Sequence, residues 1–136
     1  METINLYAEE NKDETRPVPF TYYPTPGLIP FSQPPADNEN KARCTYRASN
    51  GNGYTIIGST VYFVSPNGIL TPIGLIGNNP SQCYIADNGL VAILVDGTSN
   101  GYAIELATNN FAAITDPSFY GAAFVVYLLT FFVQNI

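Results

Sequence analysis

The chain has 136 residues, 46% of them hydrophobic and 12% charged, with a net charge of -6, which suits one β-rich, turn-rich domain able to bury a core. With no His, no Trp and only two Cys, it lacks the commonest metal ligand, the usual physiological-pH base and any multi-cysteine metal or disulfide framework. The five basic residues are Lys12, Arg16, Lys41, Arg43 and Arg47, and beyond them lie only the acids Asp87, Asp96, Glu105 and Asp116, which argues against a phosphate-gripping or base-reading surface.

The start, Met1 to Asn5, is acidic and has neither a basic nor an apolar region of a signal peptide, and Asn79-Pro80-Ser81 is blocked as a glycosylation acceptor by its proline. Synthesis in a cytoplasm with reduced thiols is therefore expected. Residues 1–40 hold seven of the eleven acids and most of the prolines without a sustained period, and read as an extended Pro-rich N-terminal arm. Within the arm, Thr21 to Phe31 sets aromatic and aliphatic anchors around Pro26-Gly27, a pair suited to a type II turn. Its flanks, 9–14 and 37–41, are charged and solvated.

From 41 to 136 short apolar runs are punctuated by Gly and Asn, and the punctuation repeats near every 40 residues. Cys44 answers to Cys83, the turn at Gly51 to Asp87-Asn88-Gly89, and the turn at Gly58-Ser59 to Asp96-Gly97. The turns predict strands at 43–48, 53–57, 60–65 and 69–75, then at 81–86, 90–95, 101–107 and 110–115. A third unit opens with 121–127 and continues at 131–133. The apolar run Phe119 to Val133 is too short to span a bilayer as a helix and is rich in β-branched and aromatic residues, so it reads as buried strands. Four-stranded antiparallel units of this length are the pattern of β-propeller blades: 41–77 the first, 80–116 the second and 119–136 the start of a third. About two and a half blades cannot close a ring, so the chain is either part of a longer propeller or one of several copies that pack their open faces together.

The ordered text Asn5-Leu6-Tyr7 with Glu9-Glu10, Tyr23-Pro24-Thr25-Pro26-Gly27-Leu28, Gly58 to Val64, Leu70 to Gly74, Ala86 to Gly89, Val95-Asp96-Gly97, Gly101-Tyr102 and Phe111 to Asp116 resembles the packaged DNA stabilisation proteins of short-tailed bacteriophages. The resemblance covers nearly the whole chain, which is shorter than a full member and has Tyr127 to Phe131 where the family tends to have a polar turn. It implies a virion structural protein, a tail accessory or hub at the head-to-tail connector. Such a protein seals the portal channel, carries other tail proteins, forms a homo-oligomeric ring and contacts the portal and its adaptor. No catalytic residue carries over, and neither cofactor nor membrane nor sequence-specific nucleic acid is implied.

Residues suited to a subunit or partner interface are Phe20, Tyr22, Tyr23 and Phe31 of the arm, Arg43 and Arg47 at the start of the repeats, and Phe131 and Phe132 at their end. The four arm aromatics also suit a staple over the arm's own domain, and the arginines an ordinary surface role. Asp87 and Asp96 form the best carboxylate pair for acid and base work, yet both sit in hairpin turns where Asp serves local hydrogen bonding. Asp87-Asn88-Gly89 offers oxygens to Ca²⁺ but lacks an alternating ligand loop. Cys44 and Cys83 occupy equivalent repeat positions, which sets them apart as buried free thiols. A second class of function, a propeller-type glycan- or peptide-binding module, would use Tyr54, Tyr84 and Tyr102 as stacking platforms on inter-strand loops.

Overall fold

A computed structural model describes residues 6–10, 12, 19–27, 29–35 and 41–135. Among them the chain is all-β, with several antiparallel sheets and no helix. It divides into two compact units, 1–30 and 31–136.

In the first unit β1 (Leu6–Glu10) pairs antiparallel with β2 (Phe20–Pro24), and opposed Tyr7 and Tyr23 stack with ring centroids 5.7 Å apart. Within the arm, read from the sequence as extended and without a sustained period, two strands thus pair. Its strands are short and interspersed with charges and prolines, which masks their period. Pro26-Gly27 does not make the expected type II turn, because that turn needs a left-handed residue at its third position and the φ of Gly27 lies outside that region. Of the charged flanks, 11, 13–14 and 37–40 lie outside the described residues, as do Asn5, Leu28 and Arg16.

The second unit contains two four-stranded meanders. The first runs β3 (Ala42–Arg47), β4 (Gly53–Ile57), β5 (Thr60–Val64) and β6 (Leu70–Leu75); the second runs β7 (Tyr84–Asp87), β8 (Val91–Val95), β9 (Gly101–Glu105) and β10 (Asn110–Ala113). Both follow the turns read from the sequence. Gly58 and Gly97, equivalent in the repeat, adopt φ of 59° and 78°, the left-handed geometry that a side chain resists. The apolar run near the end forms a hairpin, β11 (Phe124–Leu128) with β12 (Phe131–Asn135), in place of any helix.

Strand alternation decides which residues meet. Tyr54, Ile56 and Val61 of the first meander pack on Ile85, Ala92, Leu94 and Ile104 of the second, forming the larger core. The opposite face of β7 and β8 presents Tyr84, Ala86, Ile93 and Val95 to Val125, Tyr127 and Phe132 of the last hairpin. First strands lie beside first strands, β3 by β7 and β7 by β11, and last strands lie together, β6 by β10. At that outer contact the Phe111 ring fills the space over Gly74, where a Cβ would collide with it.

The β11–β12 turn is strained. Leu129 and Thr130, with φ of 48° and 72°, make a two-residue turn of the kind Asn-Gly makes freely, and for β-branched Thr positive φ is an outlier. Changing Leu129-Thr130 to Asn-Gly is expected to raise stability by about 1–2 kcal/mol, read from the midpoint of urea unfolding at unchanged slope.

Candidate functional site

The sequence-selected residues fall in three places. Phe20, Tyr22 and Tyr23 are exposed on β2 of the first unit. Phe31 belongs to the second unit, where Ser32 Oγ beside it donates to Gly68 O at 2.6 Å. Phe31 and exposed Arg47 line one cavity of about 620 Å³ on the free face of the first meander, floored by Thr45, Gly53, Thr55 and Val64. This is the face that points away from the second meander, since Tyr54 and Ile56 point towards it.

Phe131 and Phe132, adjacent in β12, are parted by the pleat. Phe132 turns inward, its ring 5.2 Å from that of Tyr127, and is corrected from partner anchor to internal packing. Phe131 points outward with Phe124, Val126, Leu128 and Val133, all between 37 and 71% exposed. Register places Val126 opposite Val133 and Leu128 opposite Phe131, so the five make a continuous apolar face. Sequence reading missed four of them because FVVYL and FFVQN are apolar on both faces, and period 2 is visible only where one face is polar.

Arg43 is the main correction. Expected to reach a partner's acids, it is buried, because the bulge between Ala42 and Cys44 turns it into the seam between the meanders. Its Nε donates to Ser81 O at 2.8 Å, and its Nη1 to Gly58 O at 3.0 Å and Gly77 O at 3.1 Å. Among the described residues Nη2, and Oδ2 of fully buried Asp96, have no hydrogen-bond partner, and both side chains flank Gly77.

Asp87 and Asp96 do not meet as an acid–base pair. Asp87 ends β7 and reaches back to the first meander. Its Oδ2 accepts from Tyr46 Oη at 2.6 Å and Ser49 N at 3.1 Å, and its Oδ1 from Gly89 N at 2.8 Å and from the Ser49 hydroxyl. Burial pushes this carboxyl up, but the hydrogen bonds from Ser49, Tyr46 and Gly89 outweigh it and hold it below its ordinary value. Asp96 Oδ1 accepts from Thr98 N at 3.1 Å and Thr98 Oγ1 at 2.6 Å. Among the described residues no group of three or more Cys, Asp or Glu is placed to hold a metal ion. The Gly51-Asn52-Gly53 turn instead docks on the second meander, where Asn50 and Asn52 donate to Leu106 O at 3.1 and 3.2 Å.

The tyrosines of the glycan reading are on strands, not loops. Tyr54 is fully buried and donates to Asn109 Oδ1 at 2.6 Å; Tyr102 is buried and accepts from Gly77 N at 3.2 Å. Tyr84 is half-buried, with its ring edge-on to Phe124 at 5.4 Å. The positions chosen for loops follow short Gly and Asn turns, and the meander core takes their rings.

Cys44 and Cys83 are free thiols, but they are not equivalent positions. Cys44 and Tyr46 face the larger core from β3, whereas the β7 residues facing onward are Tyr84 and Ala86. Tyr46 pairs with Tyr54 and Ala86 with Ile93, so the first hairpin is one residue longer and the match slips by one. Cys44 and Cys83 therefore face the same core from opposite sides.

Compared with family models and with curated proteins, the chain matches none.

Proposed function

We propose that the chain is a non-enzymatic structural protein of a phage tail, placed at the head-to-tail connector, where a ring of copies seals the portal channel over packaged DNA and carries other tail proteins. On this reading the meanders are β-propeller blades, β3–β6 the first and β7–β10 the second, with β11–β12 opening a third. The placement of first strands by first strands and last by last supports blades set around an axis. The ordered resemblance supplies the phage assignment, and the net charge of -6 suits a hub that packaged DNA must not stick to.

The observation that carries an assembling role is the pair of end faces. Within the chain, the onward face of one repeat twice covers the backward face of the next. The outward apolar face of β11–β12 and the hollow face of the first meander are the two unmatched members of that series. Head-to-tail contact between copies uses both, and a heterologous contact of this kind closes into a ring when its rotation allows.

Light scattering across a concentration series tests this. Self-association is expected, and Phe131→Asp should weaken it at least tenfold by placing a charge in the apolar face. A wild-type chain that stays monomeric at every concentration and does not co-purify with portal and tail proteins would refute the proposal.

A further inference from the structure

We propose that Cys44 and Cys83 are a redox pair that closes an intramolecular disulfide across the seam, tying the first meander covalently to the second. The inference stands apart from the assembly reading. Cys83 N donates to Arg43 O at 3.3 Å, the carbonyl immediately before Cys44. Ordinary peptide dimensions then bring the two Cα atoms to roughly 5–7 Å, a range that overlaps the roughly 4.4–6.8 Å a disulfide spans. Both side chains point into one core, Cys83 as a member that is 1% exposed and Cys44 packed against it. Arg43 Nε holds Ser81 O, two residues before Cys83, so the segment that carries the second thiol is pinned beside the first.

Accessibility sets the order of events. Cys44 is half-buried and Cys83 fully buried, and burial pushes both thiols up, Cys83 to about 11 even though the Arg43 charge pulls it down. The Cys44 thiolate attacks a small-molecule disulfide such as oxidised glutathione, forming a mixed disulfide and releasing one thiolate. The Cys83 thiolate then attacks the Cys44 sulfur and releases the second. The two cysteine protons end on the two released thiolates. The cysteines are oxidised by two electrons, and the small disulfide is reduced to two thiols.

The test treats the full chain with oxidised glutathione in two ways, folded and during refolding from urea, so that burial of the thiols cannot hide the geometry. The expected product is lighter by two hydrogen atoms, yields one linked Cys44–Cys83 peptide on digestion, and melts on the order of 10 °C higher. Dithiothreitol should reverse the shift, and Cys44→Ser or Cys83→Ser should abolish it. Glutathione left on Cys44 in both regimes, reducible dimers as the sole product, no oxidation after refolding, or a linked chain that melts lower would each overturn the proposal.

Discussion

Replacing Arg43 by Met is expected to lower stability by about 2–4 kcal/mol, since it strips donors from three carbonyls, those of Gly58, Gly77 and Ser81, along the seam between the meanders. Each carbonyl left without a donor costs up to about 1–3 kcal/mol, least at exposed Ser81, where water reaches, and more at half-buried Gly58 and Gly77. Against a typical total of about 5–15 kcal/mol the variant would be marginally folded. Arg43→Lys should recover only part of the loss, because one ammonium cannot span carbonyls that the planar fork reaches in two directions. Arg47→Met, at the exposed end of the same strand, serves as the control and should change stability by less than about 0.5 kcal/mol. Urea unfolding of the three variants decides the matter: Arg43→Met within about 1 kcal/mol of the parent would show that the seam does not depend on the guanidinium.

The second large effect is on pH dependence, through the Tyr46–Asp87 bond that joins β3 to β7. Asp87 titrates lower in the folded chain than its ordinary value near 3.8, so its contribution is full above that value and is lost as pH falls through the lower folded one. Tyr46 moves the other way. Burial first, then the hydrogen bond to Asp87, pushes it up to about 12, so its contribution is full below the ordinary value of 10.0 and is lost as pH rises from there to about 12. One bond thus fails at both ends of the pH range. Asp87→Asn should cost about 2–3 kcal/mol at neutral pH and flatten the acid limb, because the amide presents one acceptor oxygen where the carboxylate accepts from four donors. Tyr46→Phe should spare most of the acid limb, which Ser49 and Gly89 still support, and remove its own share of the alkaline loss. Tyr54, Cys44 and Cys83, all raised by burial, also contribute to the alkaline loss, so the difference between parent and Tyr46→Phe is the quantity to measure. Superimposable profiles above pH 10 would refute the assignment.

These two bonds bear on function because they fix one repeat on the next. On the proposed reading, a part that closes a channel needs its repeats held in one relative position. Here the guanidinium of Arg43 and the carboxylate of Asp87 do so from opposite meanders, each reaching across to the other's turns. The two end faces of the second unit are apolar on β11–β12 and hollow on the first meander.

The strands of the repeats were legible because two local signals agree. Gly58, Gly97 and their neighbours demand turns, and the apolar runs between them have the length and β-branched content of strands. The β1–β2 hairpin was not, since its residues alternate little and its prolines argue against a strand. The all-β class, the four-strand repeat and the turn positions were thus determined by the sequence itself, through backbone preferences that act over a few residues. Which side of each strand a residue occupies was decided only by tertiary structure. Side chains alternate with a period of two, so one extra residue in the β3–β4 hairpin and a bulge before Cys44 reverse the faces. The bulge carries Arg43 from surface to seam and the extra residue brings Cys44 and Cys83 to one core, while in β12 the pairing with β11 sends Phe132 inward and Phe131 outward, because facing depends on pairing between strands and not on any residue's own preference.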